Sequence, residues 1–265
     1  MHKKIGMPLV TALLGASGSF AFAADNGTVS VGAGVNYSSG TYGTSATTNI
    51  LSIPFSVRYD SERWTLKATI PWLRITGGTR VIPGIGPVAN TNPRGRGATT
   101  ATESTASGLG DLVTGVTYNA YYDQASKFGL DVTGKVKWGT ADVDKGLGTG
   151  ENDYSAQMDA YKTIDRMTWF GGIGYTNLGS SRFIQLRNVW NLNLGGSYKL
   201  DERDSAGLTF DGRERVSSTA FPQRELTAFW ARKLDRNWKT QAYALKGFAN
   251  GSPDWGAGTS VAYAF

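Results

Sequence analysis

Apolar and polar residues alternate with a period of two in segment after segment of this chain. In the segment 28–37, one set of alternate positions is apolar and the other is small or polar. The pattern recurs in 63–72 and 127–138, where the second set also collects Lys, Arg and Asp. Period two places alternate side chains on opposite faces of a β-strand. The sequence therefore predicts strands with one apolar face and one polar or charged face.

The connections between these strands fall into two length classes. Five short turns contain an apolar residue followed by Asp, at 59–60, 122–123, 164–165, 200–201 and 234–235. Six longer segments rich in Gly, Ser, Thr and Pro lie near 39–46, 76–107, 140–152, 179–186, 214–221 and 249–254. A soluble sandwich has no reason to sort its loops by length, whereas outer-membrane barrels alternate short periplasmic turns with long outer loops. We therefore expect an all-β fold, a membrane-spanning antiparallel up-and-down β-barrel of about twelve strands.

The amino terminus predicts export. His2, Lys3 and Lys4 precede an apolar run over 5–14 and a small-residue stretch at 21–24. The run has about half of the ~20 residues that a membrane-spanning helix needs, and the small residues suit a cleavage site. We expect a signal peptide over 1–23, a single barrel domain over 24–265, and a location in the bacterial outer membrane.

Composition excludes several classes of function. The chain has no Cys, and its single His lies in the predicted signal peptide. Without a thiol or an imidazole, the mature chain cannot form Ser-His-Asp, Cys-His or His-ligated metal sites. The net charge of +6 is mild and scattered, unlike the basic surface of a nucleic-acid-binding protein. We therefore expect no enzyme activity, cofactor, metal site or nucleic-acid partner.

Strand length supports a bilayer setting. The segments Phe128–Trp138 and Trp255–Phe265 each begin and end on an aromatic residue and span ten residue steps. Ten steps give roughly 33 Å of strand, which a tilt of about 40° projects to roughly 25 Å. That height matches the apolar band of an outer-membrane barrel with aromatic girdles at both interfaces.

The last segment alternates up to an aromatic carboxy terminus. Val261, Tyr263 and Phe265 share one face. This ending resembles the carboxy-terminal signal that the outer-membrane assembly machinery reads. We therefore predict these three residues as an assembly signal.

The polar face of the strands supplies candidate lumen residues of both charge signs. The candidates for solute selectivity are Arg58, Lys67, Asp111, Asp131, Lys135, Lys137, Asp159, Lys199, Asp211, Arg213 and Glu225. Strands ~4.8 Å apart and tilted about 40° give twelve strands a backbone radius of roughly 12 Å, so the lumen is narrow. Two interpretations stay open: a selective pore lined by mixed charge, and a salt-bridge network that fills the barrel.

The segment 76–107 is the longest connection. It is rich in Pro and Gly, and long irregular loops are functional or disordered. Its candidate gating residues are Arg80, Val81, Ile82, Ile85, Arg94 and Arg96. The segment could fold into the lumen as a constriction with an apolar lip, place its Arg residues on lipid phosphates, or stay a flexible loop.

Several motifs carry a family resemblance. They are S-G-L-G-D-L at 107–112, K-W-G-T-A-D at 137–142, K-G-L-G-T-G at 145–150, D-Y at 153–154 and G-G-I-G-Y at 171–175. In their order and spacing, the chain resembles the outer-membrane transporter family named for the meta-cleavage pathway of phenol degradation. The resemblance implies passage of small hydrophobic or aromatic compounds.

Taken together, these features favour an outer-membrane channel or facilitator for passive uptake of small solutes, and the resemblance implies that these are hydrophobic or aromatic. The alternative is a structural or adhesive barrel with a plugged lumen and loops that bind a ligand or lipopolysaccharide. The expected partners are outer-membrane lipids and lipopolysaccharide, the outer-membrane assembly machinery and small-molecule solutes.

Overall fold

The computed structural model describes residues 27–96 and 103–265. The predicted signal peptide over 1–23 lies outside these residues. The strands are β1 (Thr28–Gly40), β2 (Thr48–Asp60), β3 (Trp64–Gly78), β4 (Val81–Ile82), β5 (Gly86–Pro87), β6 (Glu103–Leu109), β7 (Leu112–Asp123), β8 (Phe128–Trp138), β9 (Asp153–Ile164), β10 (Met167–Asn177), β11 (Val189–Lys199), β12 (Asp204–Arg213), β13 (Gln223–Lys233), β14 (Trp238–Gly247) and β15 (Trp255–Ala264).

The sheet closes on itself because β1 pairs with both β2 and β15, and all pairings are antiparallel. The segments β6 and β7 both pair with β3, so they form one spanning strand interrupted by a bulge at Gly110 and Asp111. The amide of Gly110 donates to the carbonyl of Pro71 at 2.8 Å, which keeps the bulge attached to the wall. The predicted barrel of twelve strands is therefore confirmed.

The barrel is apolar outside and polar inside. Val29 and Val31 of β1 are exposed on the outer face, while Ser30 between them is buried. Two belts of aromatic contacts mark the interfaces of the outer face. Tyr37–Trp255 and Tyr175–Trp190 lie toward the long loops, with ring centroids 5.4 and 5.0 Å apart. Trp64–Tyr118 and Trp238–Tyr263 lie toward the short turns, at 4.5 and 5.0 Å. Amphipathic rings suit the boundary between lipid and water.

The connections alternate in length as predicted, but the longest is shorter than expected. β3 continues to Gly78 and β6 starts at Glu103, so both ends of the predicted 76–107 loop are strand. Ile75 pairs with Ala106 and Gly77 with Ser104, which extends the ladder past the predicted loop boundary. Small and polar residues had suggested a loop there, but two facing strands satisfy their backbone groups equally well. No helix in the described part of the chain is long and apolar enough to cross a bilayer.

The register of β14 also becomes clear. Its pairing with β13 and β15 turns Tyr243 and Leu245 inward, because their partners Phe229, Thr227 and Gly258 share the inner face. Lys246 faces outward but lies one residue before the end of the strand. Its ammonium can therefore reach the headgroup region at low cost.

Gly195 offers a test of the interior packing. A Cβ there would lie 2.6 Å from the carbonyl oxygen of Leu208 and 2.6 Å from the buried ring of Phe170. We expect Gly195→Ala to lower the free energy of unfolding by about 1–3 kcal/mol, the usual cost of overpacking. The measurement is denaturant unfolding in lipid vesicles, followed by gel mobility of the folded barrel.

Gly134→Ala is the matched control, since Gly134 lies on the outer face of β8 and nothing lies within 4 Å of a Cβ at that position. Its free energy of unfolding should stay unchanged or rise by up to about 1 kcal/mol. Equal losses in the two variants would contradict the packing account.

Candidate functional site

The register places the predicted lumen residues on the inner face of the wall. Cross-strand partners share a face, and Arg58 pairs with the buried Ser30 and with Lys67. The same reasoning carries around the sheet to the other candidates that lie in strands. Asp111 lies in the bulge, and its carboxylate reaches the inner side through its contact with Lys137. Lys199 differs from the rest because it lies exposed at the rim formed by the short turns. The candidates do not form one site but divide into separate groups.

One group neutralises itself near the short turns. Nε and Nη2 of Arg58 donate to the two carboxylate oxygens of Asp60, each at 2.6 Å. The hydroxyl of Thr65 donates to the same carboxylate at 2.7 Å. Both charged side chains are buried. A bidentate pair of this kind holds a guanidinium firmly. Arg58 is therefore a structural residue of the barrel wall, and its charge is neutralised by Asp60. The sequence pattern had assigned Asp60 to a turn and missed it as a partner.

A second group fastens the connection between β8 and β9. The ammonium of Lys137 lies 2.8 Å from the Asp111 carboxylate and 3.4 Å from that of Asp153. It also donates to the carbonyl of Glu151 at 2.9 Å. The second oxygen of Asp111 accepts the amide of Ala141 at 2.9 Å. These contacts tie the loop 139–152 to the barrel wall, and we call this group the Lys137 cluster.

The Lys137 cluster brings together the motifs that carry the family resemblance. Asp111 comes from the G-L-G-D segment, Lys137 from K-W-G-T, and Asp153 from D-Y. Gly148 of the L-G-T-G run passes so close that a Cβ would lie 2.9 Å from the Asp111 carboxylate. The spacing of the motifs thus reflects a loop attachment. Asp111 and Lys137 lie on the inner face, but they form an ion pair in which the two charges neutralise each other.

Residues 79–96, the described part of the connection between β3 and β6, cross the mouth of the barrel. The hairpin of β4 and β5 ends in a turn whose two carbonyls accept hydrogen bonds from Arg213. Nη1 of Arg213 donates to Gly84 at 2.8 Å, and Nη2 donates to Ile85 at 2.6 Å. Arg213 ends β12, which lies six spanning strands from β3 in either direction around the ring. The loop is therefore held at the far wall.

The predicted apolar residues of this loop are buried at the mouth. Val81 packs with Leu73, Ile75 and Leu147. Ile82 and Ile85 join a second cluster on the opposite side, whose other members are Val88, Leu178, Ile184, Val189, Val216 and Ala220. Residues from five outer connections meet in these two clusters. In the barrel mouth, apolar packing replaces the polar lining found deeper inside.

The three arginines of the loop differ in position. Arg80 and Arg94 are exposed, whereas Arg96 is buried. Nε of Arg96 donates to the hydroxyl of Ser104 at 2.8 Å, and Nη2 donates to the carbonyl of Gly77 at 3.2 Å. Burial lowers the pKa of the Arg96 guanidinium from its ordinary value. Arg96 thus anchors the near end of the loop, and Arg213 anchors its tip.

The predicted assembly-signal residues lie on the outer face of the last strand. Val261 and Phe265 are exposed, and the ring of Tyr263 contacts those of Trp238 and Phe265 at 5.0 Å each. The amide of Phe265 donates to the carbonyl of Val29 at 3.0 Å, next to the seam with β1. Their recognition during assembly stays a prediction.

The sequence matches no protein-family model and no curated protein. Solved structures do share its fold. The COG4313 outer membrane channel from Pseudomonas putida F1 has a TM-score of 0.68 at 13% identity, covering 92% of this chain and 97% of that one. The KdgM porin has a TM-score of 0.52 at 12% identity, covering 89% and 99%. The NanC porin has a TM-score of 0.53 at 10% identity, covering 88% and 98%.

These likenesses show that the chain has the fold of outer-membrane channels and porins. The closed barrel and its apolar outer band place the protein in the bacterial outer membrane.

The Lys137 cluster predicts how firmly the loop 139–152 is held. We expect Lys137→Met to speed amide hydrogen exchange in this loop by about tenfold or more, because a buried hydrogen bond to a charged group contributes about 1.5–3 kcal/mol. Exchange measured by mass spectrometry on the folded barrel checks this.

Lys145→Met is the matched control, because the exposed ammonium of Lys145 lies 3.6 Å from the exposed Asp142 in the same loop. Exposed pairs contribute little, so exchange should change by less than about threefold. An unchanged loop in Lys137→Met would mean that the cluster does not hold it.

Proposed function

We propose that the protein is an outer-membrane channel for passive entry of small solutes. The observation that carries the proposal is the loop held across the barrel mouth by Arg213 above a polar, charged interior. A structure that served only as an anchor would gain nothing from charged groups inside, since apolar packing would cost less. A polar lining below a narrowed entrance suits a conduit that selects by size and chemistry.

The apolar clusters at the mouth bear on the class of solute. Val81, Ile82 and Ile85 are buried in these clusters, so a solute entering from outside would contact them, ahead of the charged wall, once the loop has moved. Apolar surfaces favour apolar or aromatic molecules by desolvation. Together with the family resemblance, this supports small hydrophobic or aromatic compounds as the solutes. Partnership with lipopolysaccharide and with the assembly machinery is part of the same proposal.

One observation favours the alternative of a plugged structural barrel. Ile75 and Val189, one in each apolar cluster, are both 0% exposed. A mouth packed this tightly must rearrange before a solute passes. The channel proposal therefore requires that the loop can move away from the barrel mouth. The hydrogen bonds from Arg213 to the loop tip would then control how often the channel opens.

A planar-bilayer experiment tests the channel. The folded wild-type protein should give discrete conductance steps. Arg213→Ala removes the two hydrogen bonds at the loop tip, each worth about 1.5–3 kcal/mol, so the open probability should rise by about tenfold or more. The complete absence of conductance from both proteins would refute the channel and favour the plugged barrel.

Arg187→Ala provides the matched control. Arg187 also belongs to an outer connection and donates from Nε to a backbone carbonyl, that of Arg215, at 2.9 Å. No hydrogen bond joins it to the loop across the mouth within the described residues. Its open probability should stay at the wild-type value, and an equal rise would assign the effect to general loosening of the loops.

A further inference from the structure

Four carboxylates and two amides lie in a single row on the inner wall. Each is the direct cross-strand partner of the next, with one glycine between them. We call this set the acidic row; in order it comprises Asn119, Asp131, Asp159, Gly172, Asn193, Asp211 and Glu225. It runs across seven neighbouring spanning strands, from β7 to β13, without a gap in the pairing. Only the register reveals it, because its members are far apart in sequence.

The acidic row climbs through the membrane. Asp131 lies three residues from the end of β8 at the short turns. Glu225 lies two residues from the end of β13 at the long loops. Strands in a barrel are tilted, so a row at right angles to them rises along the barrel axis. The carboxylates are thus spaced from one side of the membrane toward the other.

The carboxylates of the row are held mainly by neutral donors. Asn119 donates to Asp131 at 2.7 Å. Asp159 accepts from Gln157 at 2.8 Å and from Asn193 at 3.2 Å. None of the ion pairs among the described residues involves a member of the row. Arg213 ends the same strand as Asp211, but its Nη atoms are committed to the loop tip. Lys135 lies within electrostatic range of Asp159, and Arg213 within range of Glu225. The four carboxylates of the row outnumber these two bases, so the row retains an excess of negative charge.

One buried acceptor in the row has no partner. Asn193 is 6% exposed, and its Oδ1 has no hydrogen-bond donor among the described residues. Its Nδ2 is used by Asp159, so the free oxygen lies in the stretch between Asp159 and its other neighbour, Asp211. A buried acceptor without a donor is costly unless a ligand supplies the missing interaction.

The glycines of β10 create the room for this arrangement. The Asp159 carboxylate occupies the space that a Cβ at Gly172 would take, and a Cβ at Gly174 would lie 2.5 Å from Oδ1 of Asn191. The G-G-I-G segment thus lets polar side chains of β9 and β11 cross over the strand between them. Any side chain at 172 would separate Asp159 from Asn193.

We propose that the acidic row binds small monovalent cations at Asp159, Asn193 and Asp211 and makes the channel selective for cations. Carboxylate and amide oxygens are the donors that hard cations prefer. The described residues hold no cluster of three or more His, Cys, Asp or Glu that would suit a more highly charged metal. Four successive carboxylates give a cation several positions along its path. This inference rests on the proposed channel function.

Ion selectivity in planar bilayers tests the inference. Under a KCl gradient, the reversal potential of the wild-type channel should lie toward the potassium equilibrium potential. In the double variant Asp211→Asn, Glu225→Gln, the potassium-to-chloride permeability ratio should fall by about threefold or more. Glu202→Gln removes one charge at an exposed turn and should leave the ratio unchanged. A conducting channel without cation preference, or with an unchanged ratio in the double variant, overturns the inference and leaves the channel function standing.

A direct readout of the site covers the case of a barrel that does not conduct. Crystals of the wild-type protein grown in rubidium chloride should show an anomalous peak in contact with Asn193 Oδ1, and Asp159→Asn with Asp211→Asn should abolish it. No peak in the wild-type protein overturns the binding site, whatever the conductance. A peak in a barrel without conductance keeps the site but refutes the channel.

Discussion

Backbone hydrogen bonding inside the hydrocarbon is the constraint on which the rest of this structure depends. Each amide and carbonyl that enters the bilayer must find a partner in the protein, because neither lipid nor water can supply one there. A closed antiparallel sheet meets this demand without edges. Once the sheet is closed, the pleat sends alternate residues to lipid and to the interior. Hydrogen bonding closes the sheet, and the pleat of the closed sheet then gives it one lipid-facing side and one interior side that can be polar.

Charged side chains inside a closed barrel must also be neutralised or hydrogen-bonded. In this chain the partners differ from one part of the interior to another. Arg58 and Asp60 neutralise each other. Lys137 serves two carboxylates and a loop carbonyl. The guanidinium of Arg213 donates its hydrogen bonds to backbone carbonyls of the loop across the mouth, not to the neighbouring carboxylates. These three bases are held in structural contacts, whereas no ion pair among the described residues engages a carboxylate of the acidic row.

The sequence predicted the architecture well because the evidence for it is local. Alternation, turn residues and aromatic spacing each involve neighbouring residues, and they sufficed for twelve strands and for the inward face. Partnerships were different. Arg58 and Asp60 are only two residues apart, so the period-two pattern places them on one face and could have indicated their contact. Nothing near Asp153 in sequence indicates that it shares a lysine with Asp111.

The register between neighbouring strands decides which residues become partners. That register must be correct at every strand pair around the barrel. The row from Asp131 to Glu225 exists only if every intervening pair of strands is aligned. The same holds for the loop tip, since Gly84 and Arg213 are separated by 129 positions. A single sequence contains no local signal for such contacts. The apolar residues Val81, Ile82 and Ile85 did suggest a lip, but their place at the far wall required the fold.

The bulge at Gly110 and Asp111 has a consequence for how this protein can change in evolution. On β6 the even-numbered Ala106 and Gly108 face inward, whereas on β7 the odd-numbered Gly115 and Thr117 do so. One additional residue has reversed the parity of half a strand. Losing it would send Val116 and its outward neighbours into the lumen. A single-residue insertion or deletion in a spanning strand therefore either forms a bulge of this kind or exchanges the lipid-facing and lumen-facing residues along the rest of that strand.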